Sequence, residues 1–541
     1  FSKDEILQMY LNEVAYGGTA YGIKEAAQTY FAKEIKDVNL AEAALLAGLP
    51  AAPTKYSPFG ANPQLTLSRQ HQVFNRMVEE KYITKEEAEK AKKEVIILAP
   101  RRNNIKAPHF VMYIKDLLVE KYGLRTVEQG GLQVTTSLDL KLQEMAQKKV
   151  SKETIKLANL RVGNGAALIT NPSNGEILAM VGSKDYYNLE KDGNVNVTTA
   201  LRQPGSAIKI VTYALALSRG FSPTTIIPDS PITYHAAGSK PYSPRNYDNR
   251  FHGNVTLRTA FGSSYNVPAV KTLAYLGVNN MTDLGEKMGI TTWTDRERYG
   301  LSLTLGGGDV KMTDMAVVFG TVANYGLKTE LNSILKVTDS KGKVLEENYP
   351  AQTRVLSKET AFLLTDILSD NNARIPAFGP NSLLVIPNHQ VAVKTGTSND
   401  KRDNWTIGYT KDYLTAVWVG NNDNSPMSAV ASGITGASPI WNHIMTELLK
   451  NMPAHQFDKP DNLVKLQICS WNGLLPCEGC PTVEEYYVPG TEPKYHCSSK
   501  EIKKIKEEKE KKKEDKILEG VSTERRGIFI VLKKHLFVLL L

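Results

Sequence analysis

Apolar residues recur at intervals of three and four through the first hundred positions, in ILQMYL, KEAAQTYFAKE and LAEAALLAGL, and that period predicts helices. Thr84 and Glu87 have the spacing of a capping box and open another. At APRRNNIKAP the text turns basic and proline-bounded, which predicts a linker. HFVMYIKDLLVEKYG reads as one more helix, GGLQVTTSLD as a strand, and LKLQEMAQKKVSKETIKLAN as a long polar-faced helix. From residue 165 the period changes. GAALITNP and EILAMVGS read as strands joined by a turn at Ser173, Asn174 and Gly175. VAVKTGTS, NWTIGYT and LTAVWVGN read as three more, the last two joined at Lys411 and Asp412. SPIWNHIMTELLK has Ser438 and Pro439 in the cap and first-turn positions of a helix. Strand pairs beside helices predict an α+β domain, an antiparallel sheet flanked by helices, behind an all-helical first part.

Length and composition add little to this picture but bound it. The 541 residues suggest two to four domains, and 41% hydrophobic with 23% charged residues is ordinary globular composition. A net charge of +9 suits work beside an anionic surface or polymer such as a bacterial membrane or wall. No basic stripe with interleaved aromatics occurs, which argues against nucleic acid. The chain opens on Phe1, inside an amphipathic helix, and reads as part of a longer gene product, so the lack of a long apolar run says nothing of a membrane anchor. KEIKKIKEEKEKKKEDK reads as a solvated helix or disorder. The end, GIFIVLKKHLFVLLL, is too short to span a bilayer and either lies on a membrane surface or is a spurious translated end. Cys469, Cys477, Cys480 and Cys497 all fall in the last 75 residues. They form a stapled module in an oxidising compartment, with three pairings open, or a zinc site, with His496 alongside, in a reducing one. The other histidines have no ligand spacing.

The chemistry gathers at QPGSAIK. Ser206 and Lys209 stand three apart at the mouth of a helix, so their side chains share a face. A serine hydroxyl attacks only when something takes its proton. A lysine can do so once its pKa drops by several units from about 10.4, and a helix N-terminus and a second nearby cation would both push it down. Free backbone N–H groups of the same turn can hold an oxyanion. Alone, the pair reads more readily as a helix cap and a surface lysine. It is joined by Ser264-Tyr265-Asn266 and by Lys394-Thr395-Gly396-Thr397 at the end of a strand, and the order S-x-x-K, S-x-N, K-T-G is a penicillin-binding signature.

RQPGSAIK, GSSYNVPAV, VKTGTSNDKRDNWTIGYT, AVWVGNND and NPSNGEILAMVG all resemble the transpeptidase domain of class A penicillin-binding proteins. ILQMYLNEVAYGGTAYGIKEAAQTYFAKEIKDVNLAEAALLAGLPAAPTKYSP resembles the late motifs of the glycosyltransferase domain that precedes it. The resemblance spans roughly residues 1 to 450 and departs at Ile210, where the family usually has proline. It implies that Ser206 attacks the D-Ala-D-Ala carbonyl of a peptidoglycan stem peptide, with Lys209 as base. Ser264, with Lys394, would pass a proton to the leaving amine. Asn266 would bind the substrate backbone, and Lys394, Thr395 and Thr397 its carboxylate. Gly396 would let substrate run as an added strand. The backbone N–H groups of Ser206 and Thr397 would form the oxyanion hole. β-Lactams would acylate Ser206. The transpeptidase needs no cofactor or metal; a divalent cation stays open for the glycosyltransferase half of the parent.

The resemblance divides the chain into a glycosyltransferase remnant (1–98), a linker region (99–160), the transpeptidase domain (161–452), the cysteine module (453–500) and a charged tail with an apolar end (501–541). The family's catalytic glutamates lie upstream of the matched motifs; Glu5, Glu13 and Glu25 belong to the late helical motif. The parent is therefore expected to polymerise lipid-linked disaccharide and this chain is not, and residues 1–98 are expected to expose apolar surface. Asn12, Tyr21 and Tyr30 either line a glycan groove or pack. The expected setting is the extracytoplasmic face of a bacterial cell membrane, reached through a segment ahead of Phe1. Two rival functions use the same chemistry: a carboxypeptidase, and a β-lactam sensor or wall scaffold that acylates without turnover. A β-lactamase would be about half as long.

Overall fold

The computed structural model describes residues 1–507 and 510, apart from 18–19, 61, 100–104, 236–239, 429–434, 455 and 508–509. GIFIVLKKHLFVLLL lies outside the described residues. The chain forms two compact units, Phe1–Lys106 and Ala107–Leu541. Among the described residues no helix is long and apolar enough to cross a membrane.

The first unit is helical, as its period predicts. Capping boxes start helices Lys3–Glu13, Leu40–Gly48 and Lys85–Lys92, each satisfying N–H groups that the helix itself leaves unpaired. Tyr16, Tyr30, Leu45, Leu46 and Leu49 form one small core, and Ala41, Ala44, Phe74, Ala88 and Ala91 another. Tyr30 is a packing residue: its hydroxyl donates to Tyr16 O at 2.8 Å and its ring stacks on Phe59. Asn12 and Tyr21 are exposed. Helix Lys3–Glu13 buries no residue, and Ile6, Leu7, Met9 and Tyr10 face outward.

The second unit is built on five strands: β1 (Asn164–Thr170), β2 (Ile177–Val181), β3 (Ala392–Thr397), β4 (Asp403–Tyr409) and β5 (Leu414–Gly420). They pair in the order β3-β4-β5-β1-β2, every neighbour antiparallel. Six helices matter to the site: α1 (Leu140–Lys156), α2 (Lys209–Ser218), α3 (Asn266–Leu276), α4 (Met312–Ala323), α5 (Lys358–Ser369) and α6 (Ala437–Leu449). Side chains alternate across a strand. One set, with Leu168, Met180, Trp405, Ile407 and Trp418, joins α2, α4 and α5 in a core; the other, with Ile169, Val181, Val417 and Val419, joins α1 and α6. Both faces are covered, so β1, β4 and β5 are buried along their whole length and read as apolar runs rather than alternating ones.

Three local readings change. α1, a helix as its period predicts, lies within the 99–160 linker region that the resemblance implies, yet its Ala146 and Val150 belong to a sheet core. Ser438 lies inside α6, behind Gly436 and Ala437, with its hydroxyl 2.9 Å from Thr406 Oγ1; contact with the sheet overrides its capping propensity. The charged run after residue 499 starts against the cysteine module, where Ile502 is buried with Cys469 and Cys497. The four sulfurs pair as Cys469–Cys480 and Cys477–Cys497. Sulfurs in disulfides are not the thiolates a zinc site needs, so the zinc alternative is set aside. His496 Nδ1 instead meets Pro476 O at 2.7 Å.

Candidate active site

Ser206 sits in a 3₁₀ turn, Gly205–Ile208, and α2 begins only at Lys209. This tightens the expected geometry, because residues three apart eclipse in a 3₁₀ turn. Ser206 is partly exposed between buried neighbours, Gly205 on one side and Ala207, Ile208 and Lys209 on the other. Ile210, the departure from the family pattern, is fully buried. The turn is pressed into place by glycines. Gly205 has φ +54°, and a Cβ there would lie 2.4 Å from Thr397 O. A Cβ on Gly306 would lie 2.3 Å from Gly205 N, and one on Gly396 would lie 2.1 Å from Pro204 O. Gly396 is thus required by packing alone: the turn that carries Ser206 runs against β3. Trp405 Nε1 adds a bond to Gln203 O at 2.8 Å.

Two buried lysines converge beside this turn. Lys209 Nζ donates to Ser264 O at 2.7 Å, Tyr265 O at 3.1 Å and Asn266 Oδ1 at 2.7 Å. Lys394 Nζ donates to Ser264 Oγ at 2.7 Å and Thr395 O at 2.9 Å. Ser264 therefore lies between them, in a left-handed conformation (φ 59°) that a non-glycine residue adopts only when its surroundings hold it. Burial, and after it the charge of Lys394, holds Lys209 well below the usual lysine range. Burial also brings Lys394 down to about 7. Three acceptors around Lys209 favour its charged form and oppose this shift; full burial beside a second lysine outweighs them. Among the described residues Ser206 Oγ makes no hydrogen bond, and bonds of this kind commonly tighten only with substrate.

β3 is an edge strand of the sheet, so Lys394, Thr395, Gly396 and Thr397 lie along a border where an extended peptide can add. Thr395 is nearly buried and Thr397 partly so, its Oγ1 accepting from Asn404 Nδ2 at 3.1 Å. All eight residues singled out from the sequence thus lie on three segments that pack together.

The sequence reading missed a supporting network. Asn246 Oδ1 accepts from the backbone N–H groups of Asn266 (2.8 Å) and Val267 (3.2 Å), capping α3. Its Nδ2 donates to both oxygens of Asp229, at 2.9 and 2.7 Å, and Asp229 is fully buried. His252 Nδ1 meets Asp229 Oδ2 at 2.6 Å, and its ring stacks on Tyr265 at 4.0 Å. Asn266 Nδ2 donates to Arg245 O, which turns Oδ1 toward Lys209. PRNYDNRFHGN carries Arg245, Asn246 and His252, and Asp229 ends the strand Ile226–Asp229 ahead of it; the only signal of the segment was a dense polar run with no turn period.

Comparison with known proteins places the chain in a family. Residues 165–446 match the penicillin binding protein transpeptidase domain, residues 1–78 the transglycosylase family, and residues 459–501 the C-terminal domain of penicillin-binding protein 1A. Penicillin-binding protein 2D of Bacillus subtilis is 33% identical over 511 residues, covering 92% of this chain and 72% of that protein. Penicillin-binding protein 1A of Aquifex aeolicus is 30% identical, covering 92% and 78%. The crystal structure of penicillin-binding protein 1A from Haemophilus influenzae superposes with a TM-score of 0.70 at 25% identity, covering 92% of each chain. With a helical transglycosylase region ahead of a sheet-and-helix transpeptidase domain, the chain belongs to the class A penicillin-binding proteins, enzymes of peptidoglycan synthesis by transpeptidation.

Proposed function

We propose that this transpeptidase works through an acyl-enzyme on Ser206. The observation that carries the reading is Ser264 held between two buried, pKa-lowered lysines beside a partly exposed serine. Lys209, once neutral, takes the Ser206 proton as Oγ attacks the penultimate D-Ala carbonyl. The backbone N–H groups of Ser206 and Thr397 receive the oxyanion, and the close approach of Gly205 to Thr397 supports that pairing. The peptide C–N bond breaks, and Ser264 passes a proton to the departing D-Ala amine while Lys394 replenishes it. An amine of a second stem then attacks the ester: its C–N bond forms as the acyl C–O bond to Ser206 breaks, Lys209 returns its proton to Ser206 Oγ, and the proton shed by the amine passes through Ser264 to restore Lys394. Lys394, Thr395 and Thr397 hold the terminal carboxylate and Asn266 the peptide backbone, with the donor strand laid along β3. A β-lactam enters the same step and stays on Ser206.

If water replaces the amine, the enzyme is a D-Ala-D-Ala carboxypeptidase; the ratio of crosslinked to hydrolysed product on a stem-peptide mimic separates the two. The match over residues 1–78 supports lipid-linked disaccharide as a substrate of the full-length parent, whose catalytic glutamates are expected upstream of the matched motifs. The two disulfides support an extracytoplasmic setting at the membrane. The test is labelling with a fluorescent penicillin and mass spectrometry of the peptide containing Ser206. Label on Ser206, absent from Ser206→Ala, is expected; well-folded protein without label would overturn the assignment.

A further inference from the structure

The cysteine module has no part in the mechanism above, yet a cluster of mostly half-buried charges joins it to the helix that leads into Ser264. Arg258 lies on the short helix Leu257–Gly262, which hands the chain directly to Ser263 and Ser264. Its guanidinium grips Glu485 with a two-pronged bond: Nε to Oε2 at 2.6 Å and Nη2 to Oε1 at 2.5 Å. Nη2 also meets Asp366 Oδ2 on α5, and Nη1 meets Asp370 Oδ2 at 3.2 Å. Glu485 is 3% exposed and belongs to strand Thr482–Tyr487 of the module, paired with Val464–Cys469 and therefore next to Cys469–Cys480. Asp370 caps helix Asn371–Phe378, donating no proton but accepting from Asn372 N, and Ala373 O of that helix accepts from Ser263 Oγ at 2.7 Å. Gly262 approaches the same residue so closely that a Cβ on it would lie 2.6 Å from Ala373 Cβ.

A buried ion pair of this kind is weak evidence for stability, since an apolar contact would join the two parts as well. A planar fork has direction, however, and fixes the rotation of the helix that carries it. We propose that the disulfide-stapled module is a positioning element of the transpeptidase site: Glu485 holds Arg258, and Arg258 holds the Leu257–Gly262 helix that keeps Ser264 between Lys209 and Lys394. The proposal rests on the reading of Ser206 and Ser264 given above. Ser264 needs such support because its left-handed backbone is not self-sustaining.

The test compares the wild-type chain with Glu485→Gln and Glu485→Asp, separating reversible binding of a fluorescent penicillin from the acylation rate constant that follows. Glu485→Gln keeps size and polarity but loses the charge. The acylation rate constant is expected to fall about tenfold, with reversible binding within about twofold, since displaced catalytic groups slow chemistry more than encounter. Glu485→Asp is expected to recover part of the rate. Wild-type acylation in folded Glu485→Gln would overturn the proposal, and so would equal loss in binding and acylation, the mark of general loosening. If Glu485→Gln does not fold, the wild-type chain is compared before and after its disulfides are reduced and alkylated; an unchanged acylation rate constant would overturn it. Failure of the untreated wild-type chain to label Ser206 would strike the function itself, not this coupling.

Discussion

Replacing Gly396 with alanine adds one methyl group to β3 and should disable the site. By propensity alone the change is favourable, because glycine weakens a strand interior by about 0.5–1 kcal/mol relative to alanine. The packing says otherwise. The new Cβ would lie 2.1 Å from Pro204 O, 2.9 Å from Ala207 N and 3.1 Å from Ala207 Cβ. The first two are backbone atoms at the turn that carries Ser206, and no rotamer can withdraw them. Bringing the first contact to 3.0 Å, the least that real Cβ atoms show, moves the Gly205–Ile208 turn about 0.9 Å from β3. Ser206 then leaves the Thr397 amide and Lys394 by a comparable distance. A misplacement near 1 Å costs on the order of 100-fold in rate. The assay is the second-order rate constant for acylation by a fluorescent penicillin, read beside the thermal midpoint. Gly320→Ala is the control: it lies in α4, a Cβ there meets nothing within 4 Å, and alanine should stabilise the helix by about 1 kcal/mol without touching acylation. The reasoning fails if Gly396→Ala labels at the wild-type rate with an unchanged or raised midpoint.

Lys209→Ala removes the proposed base and should slow acylation by about 10³-fold; a loss under about tenfold would assign the proton to another group. Lys394 carries a pH signature. The unfolded chain keeps it protonated to about 10.5 and the folded chain only to about 7, so between those values the unfolded state binds more protons and stability rises with pH. The slope is at most about 1.4 kcal/mol per pH unit. Urea midpoints of wild type and Lys394→Met across that window should converge as pH rises; parallel curves would mean that Lys394 is not depressed. Asn246→Ala strips the cap from α3 and a donor from buried Asp229, and should cost about 2 kcal/mol or more while slowing acylation. Unchanged stability by urea titration would mean that the network is not under load.

The chain alone was enough to name the family. Ser206 with Lys209, Ser264 with Asn266, and Lys394 through Thr397 are local strings, and local strings survive in a sequence without any knowledge of how they meet. The strands of the sheet were legible for a similar reason, as short apolar runs bounded by turns, and the first unit's helices through their period and caps. Tertiary structure decided the rest because the deciding contacts are far apart in the chain. Lys209 reaches Ser264 across 55 residues and Lys394 reaches it across 130, and only that meeting buries both amines and lowers their pKa. Four cysteines allow three pairings with no local preference, so the pairing waits for the strands that carry Cys469 and bring it to Cys480. The 3₁₀ turn at Ser206, the inward Ser438 and the capping by Asn246 all follow from neighbours that propensity does not see: backbone pressed on backbone at Gly205 and Gly396, a helix laid on a sheet, and a buried carboxylate that must be satisfied.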